Sequence, residues 1–194
     1  MIKNLLAVAF LLTAVPAFAQ SSAKPPAPPS SYKSRVPAAV LTNGTLAPDF
    51  TAQDKDGKPV HLSDYKGKTV VLDFWAMWCG ICVSEMPQMK TLGDKYADKN
   101  VVVLAVNVQD VPSAFQTWTS NNPGYAPVIF ATDPGQIHIA ALYHVPGLPT
   151  QYVIGTDGKI ISSIFGFKVN DTRLEDALKT EAFPQAAVSG KPKP

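Results

Sequence analysis

The chain has 194 residues, enough for one domain and a targeting segment. Its 17 Lys and Arg against 15 Asp and Glu leave a formal charge of +2, and no basic stripe interleaved with aromatics marks a nucleic-acid surface. The 18 prolines cluster toward the two ends, which confines low-complexity sequence to tails.

The N-terminus carries the marks of a secretory signal: Lys3, an apolar run from Leu5 to Val15, and Ala17-Phe18-Ala19 as a small-residue cleavage site. A signal peptide is expected over 1–19, with Gln20 as the first mature residue. The apolar run is short for a membrane span and Pro16 interrupts it. No cysteine lies near the cleavage site to carry a lipid. Residues 20–45, with Pro25-Pro26 and Pro28-Pro29, read as a flexible Pro-rich linker. A single domain is expected over 46–183, followed by a disordered Pro/Lys tail over 184–194.

Within the domain, Asp56-Gly57 between two short extended segments marks a hairpin. A loop or single helical turn follows at Leu62 to Tyr65. Thr69 to Trp75 is a buried strand. Cys79 to Ala97 is a helix with Met86, Met89, Leu92 and Tyr96 near one face, and Pro87 is expected to kink it. Val101 to Val108 is a second buried strand, and Ser113 to Ser120 a helix with Phe115 and Trp118 inward. A short strand is expected over Pro127 to Ala131 and a helix over Gly135 to Tyr143. Thr150 to Ile154 and Ile160 to Phe165 are strands joined by a turn at Asp157-Gly158. Asn170 is expected to cap a last helix reaching about Ala182. Strands alternating with helices and ending in a hairpin predict an α/β domain with a central mixed sheet covered on both faces.

The only two cysteines, Cys79 and Cys82, stand at Cys-x-x-Cys spacing where the strand gives way to the helix. A helix N-terminus favours a thiolate there. Haem attachment would need His after the second cysteine, where Val83 stands. Structural zinc would need four ligands, and His61, His138 and His144 supply no second pair at suitable spacing. A peroxidatic site would want Pro seven and Thr or Ser three residues before Cys79, where Leu72 and Ala76 stand, and the only arginines are Arg35 and Arg173. Dithiol–disulfide exchange remains, beside the plainer reading of a binding module with a structural disulfide.

Val71-Leu72-Asp73-Phe74-Trp75-Ala76, followed by Trp78-Cys79-Gly80 and Cys82, resembles the thioredoxin active-site strand and motif. Ala47-Pro48-Asp49-Phe50 with Gly57-Lys58, Glu85-Met86-Pro87, Tyr143 to Thr150 and Asp157-Gly158 are similar to the TlpA/ResA-type exported thioredoxins, on the redoxin/AhpC-TSA branch of the superfamily. The resemblance implies a thioredoxin fold: a central mixed β-sheet flanked by helices, with an N-terminal β-hairpin and an extra βα insertion. It implies Cys79 as nucleophile and Cys82 as resolving thiol. Asp73 would be the buried acid that exchanges protons with Cys82, where many exported relatives carry Asn. Glu85 would be that group's own acid. Pro149 would be the cis-proline facing the cysteines, with Leu148 offering backbone groups to a bound peptide and Trp78 on the rim. Gly80-Ile81 would tune the potential. Ile81 keeps an N–H that proline would lack, so the pair is expected to be more oxidising than thioredoxin at about −270 mV.

The function implied is that of an exported, periplasmic thiol-disulfide oxidoreductase reducing disulfides in exported proteins, apocytochrome c among them. It would use no metal or cofactor beyond the Cys79–Cys82 disulfide. A membrane electron donor of the thiol-disulfide type would recharge it. A disulfide oxidase or isomerase of the same fold, or a peroxiredoxin-like thiol peroxidase, is the alternative.

Overall fold

The structure, a computed structural model, describes residues 40–182. The expected signal peptide (1–19), most of the expected linker (20–39) and the expected tail (184–194) lie outside the described residues. The last residues assigned to the linker lie against the sheet: Gly44 N–H donates to Ile160 O, Leu41 N–H donates to the Tyr152 hydroxyl, and Val40 and Leu41 pack on the core.

Among the described residues, seven strands form one sheet, β1 (Thr51–Gln53), β2 (Pro59–His61), β3 (Thr69–Trp75), β4 (Val101–Asn107), β5 (Ile129–Thr132), β6 (Thr150–Ile154) and β7 (Ile160–Phe165), in the spatial order β2-β1-β5-β4-β3-β6-β7. The central strands β3, β4 and β5 are parallel, β6 runs antiparallel beside β3, and β7 pairs antiparallel with β6 at the sheet edge. The helices are α1 (Gly80–Tyr96), α2 (Pro112–Asn121), α3 (His138–Leu142) and α4 (Arg173–Ala182). The hairpin β1–β2 extends the sheet through β5. Strand β5 and helix α3 form the extra βα step between α2 and β6.

Every residue of β3 is buried, as expected of a strand paired on both edges and covered on both faces. Its alternation divides the core. Val70, Leu72 and Phe74 face one layer with Tyr143, Tyr152, Phe50 and α3. Val71 and Trp75 face the other, with Met86, Met89, Leu92 and Tyr96 of α1, Phe115 of α2, and Leu174 and Leu178 of α4. Asp73 belongs by alternation to this second face, and the strand therefore delivers an acid into an apolar layer.

Helices α1 and α2 and strand β4 differ from the sequence reading by one residue at one or both ends, and three further differences have identifiable causes. Helix α3 starts at His138 rather than Gly135, because the Asp133 carboxylate takes the N–H groups of Gly135 and Ile139 and Gln136 adopts a left-handed φ of 64°. Asn170 does not cap α4: it also has a positive φ (62°), and Asp171 accepts the N–H of Arg173 where the helix begins. Strand β5 is shifted to Ile129–Thr132, because Val128 N–H closes a turn onto Tyr125 O. Helix α1 runs through Pro87 as one 17-residue helix.

Candidate active site

Strand β3 ends at Trp75, and four residues later the chain turns into α1. Cys79 is the N-cap of α1, in extended conformation, and its Sγ accepts the N–H of Cys82 at 3.3 Å. One turn brings Cys82 under Cys79, and the two are joined as a disulfide. Cys79 is 6% exposed and Cys82 is 0% exposed, so solvent reaches only the first residue of the pair. Gly80 and Ile81 stand outside; Ile81 is 48% exposed, a large apolar side chain beside the disulfide. The donor on the Cys79 sulfur is the Cys82 amide, not the Ile81 amide. Helix N-terminal donors and the local dipole favour negative charge on that sulfur once the bond is reduced.

Asp73 and Glu85, which the sequence singled out separately, are brought together. Asp73 lies opposite Gln151 in the β3–β6 register, so both side chains emerge on one face of the sheet. Glu85 lies on α1 three residues beyond Cys82. The Gln151 amide donates to Glu85 Oε1 at 2.7 Å and to Asp73 Oδ1 at 3.3 Å. The other oxygens, Asp73 Oδ2 and Glu85 Oε2, are buried without a hydrogen-bond partner. Burial pushes Asp73 up to about 7, against the pull of its Gln151 hydrogen bond. Burial lifts Glu85 still further, the charges of Asp73 and Asp171 adding to it and that of Arg173 opposing it. Gln151 was missed in the sequence. The only available signal was an amide inside an otherwise strand-like buried run, and the register that sets it against Asp73 is not written in either strand alone.

A second missed group braces the loop before the cysteines. Asp110 Oδ2 accepts the Met77 N–H at 2.7 Å and the Asn107 side-chain amide at 2.8 Å. Below this loop Trp75 packs at 4.6 Å between ring centroids on Trp118, which stacks on Tyr125 and meets Phe130 edge-on. Trp75 is thus a packing residue. Trp78 is half-buried against the same side-chain cluster as the two cysteines.

The Leu148–Pro149 peptide is cis, as is Ala126–Pro127, which the sequence reading did not anticipate. Pro149 leads into β6 at Thr150, which pairs with Phe74 on the strand that feeds the cysteines. Its carbonyl is taken by Gly166 N–H, and Leu148 packs against the cluster containing Cys79 and Cys82. Among the described residues, no group of three or more His, Cys, Asp and Glu side chains is gathered as metal ligands.

Comparison with known proteins agrees with this geometry. The AhpC/TSA family pattern matches residues 43–163. The thiol-disulfide oxidoreductase ResA of Bacillus thuringiensis (strain Al Hakam) is 38% identical over 136 residues, covering 70% of this chain and 76% of that protein. ResA of Bacillus subtilis is 33% identical over 126 residues, covering 65% and 69%. Among solved structures, a Chlorobium tepidum protein assigned as a thiol:disulfide interchange protein DsbE superposes with a TM-score of 0.67 at 36% identity, covering 73% of this chain and 99% of that one. The exposed lipoprotein thioredoxin Etrx1 of Streptococcus pneumoniae gives a TM-score of 0.60 at 32% identity, covering 68% and 99%. With its Cys79–Cys82 disulfide at the head of α1 on a thioredoxin-type sheet, the chain belongs to the AhpC/TSA family, in its ResA-like group of thiol-disulfide oxidoreductases.

Proposed function

We propose that the protein works outside the cytoplasm as a reductant of disulfides in exported proteins, with Cys79 as the attacking sulfur and Cys82 as the resolving one. The observation that carries this assignment is the asymmetry of the pair: Cys79 caps a helix and retains some exposure, whereas Cys82 has none. The Cys79 thiolate attacks a target disulfide, forming a mixed disulfide and releasing one target thiolate. The Cys82 thiol gives its proton to the Asp73 carboxylate, the acceptor of the buried acid pair. The Cys82 thiolate then attacks Cys79 Sγ, closing the intramolecular disulfide and releasing the second target thiolate, which takes up a proton. Two electrons leave the enzyme dithiol and reduce the target.

Trp78, Gly80, Ile81, Leu148 and Pro149 frame the place where a target peptide lies. Exposed apolar area at Ile81 suits an extended protein segment better than a small polar oxidant. The thiol-peroxidase alternative is weakened because Leu72 and Ala76 replace the expected Pro and Thr and the Arg173 guanidinium is bonded to Asp171 and to the carbonyls of Phe165 and Gly166. Periplasmic location after cleavage before Gln20, recharging by a membrane thiol-disulfide donor, and apocytochrome c as one target are part of the same proposal. The extracytoplasmic relative from Streptococcus pneumoniae supports the location.

The test is turnover of a protein disulfide such as that of insulin, with dithiothreitol as electron source. Wild type should turn over, Cys82→Ser should stop at a mixed disulfide through Cys79, and Cys79→Ser should be inert. A Cys79→Ser protein as active as wild type would overturn the assignment. Equilibration against glutathione separates reductase from oxidase, and the mass of the exported protein tests cleavage before Gln20.

A further inference from the structure

Two buried carboxylic acids reach the same amide nitrogen. Gln151 Nε2 carries two hydrogens; one is directed at Glu85 Oε1 (2.7 Å) and the other at Asp73 Oδ1 (3.3 Å). All three side chains are buried, and they arrive from three elements: α1, β3 and β6. Among the described residues, no ion pair holds either acid. Two carboxylates held by one neutral amide inside a low-dielectric layer cannot both be ionised cheaply, so one proton must stay with the pair. The buried outer oxygens, Glu85 Oε2 and Asp73 Oδ2, have no hydrogen-bond partner and are the positions for that proton.

We propose that Gln151 is a positioning residue that yokes Asp73 and Glu85 into one unit sharing a single proton, with Glu85 keeping the proton and Asp73 as the member left free to ionise and accept one. This rests on the proton-transfer reading of the two acids given above. The asymmetry has visible causes. Glu85 also feels the negative charge of Asp171, from the segment entering α4, which favours its neutral form; Arg173 on α4 opposes this in part. The shared Gln151 amide does not set the asymmetry, since it donates to both acids and more closely to Glu85. In the reduced enzyme Cys82, on α1, adds a thiol to the same layer. Its proton then has a vacant carboxylate to go to, and Glu85 acts through Asp73 by keeping that charge single. A shorter or apolar side chain at position 151 would leave both acids without their shared donor.

The experiment uses the full chain and Gln151→Met, which keeps side-chain length without a donor. The Asp73 and Glu85 carboxyl titrations are read by carbon-detected NMR in the disulfide form, where no thiol interferes. Both should move upward in Gln151→Met, Asp73 by about one pH unit, as expected for loss of a hydrogen bond to a charged group. Unchanged titrations would overturn the proposal. The reduced proteins are then mixed with 5,5′-dithiobis(2-nitrobenzoate). The first thionitrobenzoate released reports Cys79 attack and the second reports Cys82 attack on the mixed disulfide. The pH midpoint of the second phase should rise by about one unit while that of the first stays put.

Asp73→Asn separates the two layers of the argument. If its second phase keeps the wild-type pH profile, Asp73 is not the proton acceptor and the functional reading fails, whereas the Gln151→Met titrations still decide the yoke. Should Gln151→Met not fold, the Glu85 titration in Asp73→Asn serves instead. A downward move of about one unit supports the shared proton, and an unmoved Glu85 overturns it.

Discussion

The backbone N–H of Met77 donates to the carboxylate of Asp110 at 2.7 Å, so the loop that presents Cys79 is tied to the segment after β4 rather than held by its own turn alone. The same oxygen takes the Asn107 amide, and Asp110 is buried. Removing the carboxylate strands two donors in the interior. Asp110→Ala should therefore destabilise the oxidised protein by about 2–3 kcal/mol, measured by urea unfolding. A loss under about 0.5 kcal/mol would mean that the loop does not depend on this brace.

The exposure difference at the disulfide predicts unequal chemistry after reduction. Cys79 should be alkylated by iodoacetamide at least about tenfold faster than Cys82 and should titrate below the free-thiol value of about 8.5. Peptide mapping after timed quenching reads both rates. Equal rates would remove the basis for calling Cys79 the attacking sulfur.

Burial of Asp73 makes stability depend on pH with a definite sign. In the unfolded chain Asp73 loses its proton near the ordinary value of 3.8, whereas the folded group keeps it up to about 7. Between those values the native state binds more protons than the unfolded state, so stability falls as pH rises. Glu85, also raised by burial, acts in the same direction and extends the fall to higher pH. Asp73→Asn should flatten the curve between about pH 4 and 7 and be more stable than wild type at pH 8, by about 1–3 kcal/mol. The disulfide form, unfolded in urea across that range, is the material to measure. A variant less stable than wild type at pH 8 would show that hydrogen bonding to the Asp73 carboxylate outweighs its desolvation.

The expectation that the Ile81 amide raises the redox potential meets a different geometry. The sulfur of Cys79 takes its hydrogen bond from Cys82, and that donor survives a proline at position 81. Ile81→Pro should therefore shift the potential by less than about 30 mV, read by equilibration against glutathione buffers. A larger downward shift would mean that the Ile81 amide becomes a donor once Cys79 is a thiolate.

Much of the fold is local and could be read from the chain. The seven apolar-rich residues Thr69–Trp75, the helical spacing of Met86, Met89, Leu92 and Tyr96, the Asp157-Gly158 turn and the Cys-x-x-Cys spacing each carry their structure in neighbouring residues. The disulfide was legible for the same reason, since two intervening residues at a helix start suffice to bring two sulfurs together. The element ends were less so. Asp133 and Asp171 place side-chain acceptors on N–H groups that the hydrophobic pattern had given to helices. What only the tertiary structure decided is the surroundings of the cysteines. Asp73 and Glu85 were candidates from sequence, but their meeting depends on β3 pairing antiparallel with β6 in the register that sets Asp73 against Gln151, and on α1 lying over that face. Asp110 reaches Met77 only because β4 runs parallel beside β3 and ends level with it, Asn107 opposite Trp75. Strand register and helix docking are set by the packing of whole faces, so residues 33, 66 and 78 positions apart become partners with no local trace in the sequence.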